Sequence, residues 1–161
     1  MSKTILIADD DPLVRELVKE VLAEEGYRIF EAGDGIEALQ KTREILPDLV
    51  VLDVIMPGMV GYAVCRALKN DPLTRHIFIL FLSGRPKAEA EIAVRRNGGD
   101  EFVSKPFDVL ALRAKISLIL SQLAPCPVLR FGRELREKES PTDKTGKISG
   151  ESLPQPPGSE R

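Results

Sequence analysis

Four short stretches of this 161-residue chain carry side chains able to do chemistry, and each follows an apolar run. Asp9-Asp10-Asp11 follows Ile5-Leu6-Ile7, and Asp53 follows Leu49-Val50-Val51-Leu52. Ser83 ends the run Ile77 to Leu82, and Lys105-Pro106 lies just past Phe102-Val103. If the runs are strands of one sheet, these residues project to the same rim. Three or four carboxylates meeting there repel one another: at an effective dielectric of about 20, two charges about 4 Å apart cost roughly 4 kcal/mol. A divalent cation removes that repulsion, and all-oxygen ligands with vacant positions suit Mg²⁺, or Mn²⁺. Lysine binds phosphate as a point charge, and serine supplies a hydroxyl donor. A nucleophile, a metal and two groups on the equatorial oxygens are what phosphoryl transfer to a carboxylate requires. A lone Asp after a strand is ordinarily a cap; a reactive set at each of four strand ends is hard to call accidental.

The elements that must position these residues follow from periodicity. The five strands are Ile5-Leu6-Ile7, Arg28-Ile29-Phe30, Leu49 to Leu52, Ile77 to Leu82 and Phe102-Val103. The third and fourth are almost continuously apolar, as in a parallel sheet buried on both faces. Between the first and second strands, Val14, Leu17, Val18, Val21 and Leu22 take helical spacing, with Pro12 in the first turn. Further helices are predicted over Ile36 to Ile45, Tyr62 to Lys69, Pro86 to Asn97 and Asp108 to Leu123. Asp34-Gly35 begins the first of these and Pro47 stops it; Gly98-Gly99 ends the third. Strand–helix alternation repeated five times is a (βα)₅ chain, and right-handed crossovers make it a doubly wound α/β sheet. In such sheets ligands bind beyond the C-terminal ends of the strands, where the reactive residues stand.

Composition limits what else the chain does. Net charge is −2, which argues against a strongly electrostatic nucleic-acid or membrane binder. The longest apolar run has six residues, far short of a membrane span, and no signal peptide fits the N-terminus; a cytoplasmic protein is expected. Cys65 and Cys126 are too few for a disulfide scaffold and lack metal-ligand spacing. Six of the twelve prolines fall in the last 37 residues, against one of the eight aromatics. We therefore expect a folded domain over residues 1–124 and a Pro-rich linker or disordered tail over 125–161. The tail carries 7 basic and 6 acidic groups, so it is not a basic arm.

With these residues in place, the sequence resembles the CheY-like receiver domain of bacterial two-component response regulators, over about residues 3–123. The motifs are Ile5 to Pro12, Ala32-Gly33-Asp34-Gly35-Ile36-Glu37-Ala38-Leu39, Pro47 to Gly58, Leu82-Ser83-Gly84 and Phe102-Val103-Ser104-Lys105-Pro106-Phe107. The resemblance implies the strand order 2-1-3-4-5. It implies Asp53 as the phosphorylated aspartate, with Asp10 and the main-chain oxygen of Ile55 as metal ligands beside Asp53 and Asp9 holding a metal-bound water. Ser83 and Lys105 would contact the phosphoryl group. The Lys105–Pro106 bond would be cis, and Ser83 and Phe102 would form the switch to an output face of helix four, strand five and helix five. A sensor histidine kinase or phosphotransfer protein would donate the phosphoryl group, and a downstream protein would read it. The chain would be a monomer or a weak phosphorylation-dependent dimer, an enzyme only toward its own phosphorylation and dephosphorylation. Val60, Ala63, Phe78 and Gly99 depart from the residues common in the family without touching the chemistry. Ile55 and Arg85, two residues beyond Asp53 and Ser83, flank the phosphoryl pocket, where the family tunes dephosphorylation.

Two rival readings are weaker. Gly98-Gly99-Asp100-Glu101-Phe102 spells the signature of diguanylate cyclases, which place it on a β-hairpin. Here the preceding Glu89 to Asn97 is helical and Pro106 would break a second strand. A phosphatase on the same fold would usually present Asp-x-Asp, whereas Asp53 is followed by Val54-Ile55, and no Gly-rich phosphate loop occurs. The one histidine, His76, reads as a solvated loop residue before strand four.

Overall fold

The computed structural model describes residues 2–123. The expectation of a linker or tail over 125–161 and the side chain of Cys126 lie outside the described residues. Five strands and five helices alternate along the chain: β1 (Thr4–Ala8), α1 (Pro12–Leu22), β2 (Arg28–Ala32), α2 (Gly35–Ile45), β3 (Leu49–Asp53), α3 (Gly61–Lys69), β4 (Phe78–Ser83), α4 (Lys87–Arg96), β5 (Glu101–Ser104) and α5 (Val109–Gln122). The strands form one parallel sheet in the order β2-β1-β3-β4-β5. This is the doubly wound arrangement expected from the alternation, with the expected order.

The apolar runs are continuous because the inner strands bury both faces. Along β1, β3 and β4, Leu6, Val50, Leu52, Ile79 and Phe81 join Val64, Leu68 and Val94 in one core. The alternate residues Ile5, Ile7, Leu49, Val51, Leu80 and Leu82 join Val18, Leu22, Leu112 and Ile116 in the other. Period-two alternation thus sends each strand into two separate cores, one under α2–α4 and one under α1 and α5.

Side-chain caps begin three helices. Asp11 accepts from the Leu13 N–H at 2.9 Å, and Asp108 from the N–H groups of Leu110 and Ala111. Asp34 accepts from Glu37 N–H at 2.7 Å, while the Glu37 carboxylate accepts from Gly33 N–H. Two turns escape the periodicity: a 3₁₀ turn at Ala23–Glu25, and Leu46, which ends α2 at φ 52°. β2 runs two residues further than expected, to Ala32, because its whole length pairs with β1.

Candidate functional site

The C-terminal ends of β1 and β3 are neighbours in the sheet, so the residues that follow them are brought together. Asp9, Asp10 and Asp53 each present a carboxylate oxygen, and these oxygens lie within 4.8 Å of one another. Asp9 and Asp53 are buried, while Asp10 is exposed. A cation there would have oxygen ligands on one side and open solvent on the other, and three carboxylates at this spacing fit a hard divalent ion such as Mg²⁺. Asp11, grouped by the sequence with the converging carboxylates, turns away instead. Its side chain caps α1, whose free N–H groups at the first turn compete for it.

Lys105 reaches the cluster from the loop after β5. Its Nζ donates to Asp53 Oδ1 at 3.0 Å and lies 3.4 Å from Asp9 Oδ2. Burial works to lower the Lys105 pKa, but the hydrogen bond to Asp53 and the charges of Asp53 and Asp9 outweigh it, leaving it raised. Burial, with the Asp53 charge beside it, holds the Asp9 carboxyl above its ordinary range; the Asp11 N–H and Lys105 pull it the other way. The Lys105–Pro106 peptide is cis.

Ser83 ends β4, buried, and its Oγ accepts from Arg85 N–H at 3.1 Å; its main-chain carbonyl accepts from Lys105 N–H. Ile55 lies in the bend after β3 with its side chain exposed, and its carbonyl accepts no hydrogen bond among the described residues. Arg85 is also exposed. Gly61 makes this bend possible. A Cβ there would lie 2.2 Å from the Asp53 carbonyl oxygen, so only glycine lets α3 start this close to the phosphoacceptor candidate.

Phe102 is half-buried and packs on the core that contains Phe81 and Val94. On the outer side, α4, β5 and α5 enclose a groove lined by Glu91, Arg95, Phe102, Ala111 and Leu118 among others. The Gly-Gly-Asp-Glu-Phe run lies at its edge and has structural work of its own. Gly98 ends α4 at φ 83°, and Asp100 accepts from Lys69 Nζ and the Ile79 N–H. Glu101 pairs with Lys115. β5 pairs in parallel with β4 and no hairpin is formed, so the cyclase reading falls. His76 lies in the turn before β4 and is exposed.

Sequence reasoning passed over Arg15. Its Nη1 donates to the Asp9 main-chain carbonyl at 2.6 Å while its Nε pairs with Glu31 at 3.1 Å. No motif marks a helix residue whose target is a backbone atom; helical spacing from Asp11 is the only available hint.

With the geometry established, comparison with known proteins gives a consistent answer. The family model for the response regulator receiver domain matches residues 5–117. The chain is 36% identical over 151 residues to the response regulator PleD of Caulobacter vibrioides, covering 93% of this chain and 32% of that protein. It is 32% identical to the phosphate regulon transcriptional regulatory protein PhoB of Klebsiella pneumoniae, covering 80% of this chain and 56% of that protein. The chain thus spans about a third to a little over half of these relatives. Among solved structures, the signal receiver domain of a histidine kinase from Syntrophus aciditrophicus superposes with a TM-score of 0.71 at 33% identity, covering 78% of this chain and 95% of that one.

Proposed function

The chain belongs to the response regulator receiver domain family, and from that premise we propose that Asp53 is its phosphoacceptor. The observation that carries the reading is the position of Lys105, whose ammonium bridges the two buried members, Asp53 and Asp9, of a three-carboxylate cluster. An Asp53 oxygen attacks the phosphorus of a phosphohistidine or a small acyl phosphate. The new O–P bond forms as the P–N or P–O bond to the donor breaks, and the donor leaves with that bond's electron pair. Asp53 itself, Asp10 and the Ile55 carbonyl would hold Mg²⁺ (or Mn²⁺), and Asp9 would act through a water on that ion; the grouping of the three carboxylates supports this reading. Bound there, the metal supplies positive charge to the phosphoryl oxygens. Lys105 supplies a second positive charge and Ser83 a hydroxyl, once its Oγ turns from the Arg85 N–H toward the phosphoryl group. Water attack on the phosphorus of the Asp53 acyl phosphate breaks that O–P bond, releases inorganic phosphate and restores the carboxylate; the domain acts as a catalyst only toward its own phosphorylation and dephosphorylation.

Movement of Ser83 frees space behind β4 that the Phe102 ring fills by turning further inward, where burial of a large ring favours it. Phosphorylation then stabilises one of two pre-existing states. The α4–β5–α5 face is the surface so altered, and a downstream protein is its reader; a sensor histidine kinase or phosphotransfer protein is the donor. Residues 1–124 constitute the receiver, which works in the cytoplasm as a monomer or weak phosphorylation-dependent dimer. Among the described residues no helix is long and apolar enough to cross a membrane.

Intact-mass measurement after incubation with acetyl phosphate and Mg²⁺ should show one added phosphate on the wild-type chain and none on Asp53→Asn. Equal labelling of the two would refute the assignment. Amide chemical shifts with and without beryllofluoride and Mg²⁺ test the coupling, which fails if residues from Ile92 to Phe102 do not move.

A further inference from the structure

Asp10 differs from its neighbours in having nothing to hold its side chain. Asp53 is engaged by Lys105, and Asp9 by Lys105 and the Asp11 N–H at 2.9 Å. The exposed Asp10 carboxylate makes no hydrogen bond or ion pair among the described residues. Where its Cβ starts is set by its backbone, which is clamped on both sides, and only the side-chain torsions are left to it. The peptide after Asp10 is held by Asp9 Oδ1, which accepts the Asp11 N–H. The peptide before it is held by Arg15, whose Nη1 donates to the Asp9 carbonyl at 2.6 Å.

Arg15 is itself anchored. Its Nε pairs with Glu31 Oε1 at 3.1 Å, and the other Glu31 oxygen takes Lys19 Nζ at 2.8 Å. Only a fifth of the Arg15 side chain is exposed. Two different nitrogens of one planar fork thus reach a carboxylate on β2 and a carbonyl at the end of β1. A lysine, with one ammonium on a flexible stem, cannot reproduce that.

We propose that Arg15 is a positioning residue for the divalent-cation site, fixing the Asp9–Asp10 peptide so that Asp10 faces Asp9 and Asp53. This rests on the reading of the acidic cluster as a Mg²⁺ site. Residues that orient metal ligands without touching the metal commonly account for 10- to 100-fold in affinity. Arg15 acts on a ligand's backbone, which puts it at the lower end.

Mg²⁺ titration of the full chain by calorimetry or amide NMR tests this. Arg15→Met should weaken Mg²⁺ binding about tenfold, Arg15→Lys and Glu31→Gln less, and Lys19→Met not at all. Acetyl phosphate labelling separates positioning from general damage: Arg15→Met should need more Mg²⁺ for half-maximal rate yet reach the wild-type rate at saturation. Wild-type Mg²⁺ affinity in a folded Arg15→Met chain would overturn the inference while leaving the metal site standing. If Arg15→Met does not fold, wild-type affinity in both Arg15→Lys and Glu31→Gln overturns it equally. Absence of Mg²⁺ binding by the wild type, or undiminished binding by Asp10→Asn, would remove the metal reading itself and the inference with it.

Discussion

Replacing Lys105 by methionine removes one charge and nearly preserves volume, so its effect reports the electrostatics of the acidic site. Lys105 Nζ lies 3.0 Å from Asp53 Oδ1 and 3.4 Å from Asp9 Oδ2. At an effective dielectric of about 20, each contact is worth about 5 kcal/mol of Coulomb attraction before desolvation. The repulsion between the buried Asp9 and Asp53, across at most 4.8 Å, is about 3 kcal/mol or more on the same scale. Desolvation of the ammonium offsets most of the attraction, and its 29% exposure weakens it further. The net loss on Lys105→Met in metal-free buffer is then about 2–4 kcal/mol, typical of leaving one side of a buried pair uncompensated. For a domain of this size that lowers the melting temperature by about 10 °C. Saturating Mg²⁺ should recover most of it, because a divalent ion neutralises the charge that lysine no longer does. Mg²⁺ should therefore stabilise the variant more than the wild type. Urea denaturation in EDTA and in excess Mg²⁺ measures all four stabilities. An equal loss in both buffers, or no loss in EDTA, would refute the reasoning.

Two further expectations concern the frame around the site. Glu31→Gln should cost about 0.5–1 kcal/mol at neutral pH, since the pairs it loses are partly exposed. The Lys19 and Arg15 hydrogen bonds hold the Glu31 carboxyl below its ordinary 4.5, so its stabilisation is complete above that value. Denaturation at successive pH values should show the gap between variant and wild type closing as pH falls through the depressed value; a constant gap would disprove the charge origin. Gly99→Ala places a Cβ 2.6 Å from Phe81 Cε2 and 2.9 Å from Val94 Cγ1. Thermal melts should show a loss of about 1–3 kcal/mol from overpacking, restored in part by adding Phe81→Leu; two fully additive losses would argue against that clash.

The parts legible in the sequence are those where one residue type has one physical use. Apolar runs such as Leu49 to Leu52, short and β-branched at Val50-Val51, read as strands buried on two faces, and they carry Asp53 to the rim. Asp34 and Pro12 mark helix starts for reasons local to the chain. Asp11 was ambiguous because an aspartate after a strand can join a charge cluster or cap the next helix, and the unbonded Leu13 N–H decided it. Arg15 was invisible because its partners, Glu31 and the Asp9 carbonyl, are defined by β1–β2 pairing rather than by spacing along the chain. The 3₁₀ turn at Ala23–Glu25 has no periodic signature, being a tightened end of α1.

The strand order has a consequence for how this chain aggregates. The three segments best suited to cross-β stacking, at Ile5-Leu6-Ile7, Leu49 to Leu52 and Phe78 to Leu82, all occupy interior strands. The two strands left at the edges are the poor templates: β2 carries Arg28 and Glu31, and β5 has four residues and begins with Glu101. Fraying at either edge therefore uncovers charge, not a sticky ladder. Among the described residues, aggregation by strand pairing then requires the centre of the sheet to open, which ties it to global unfolding. Ligands that stabilise the rim of β1 and β3 act at the interior of the sheet and so protect the solution state along with the fold.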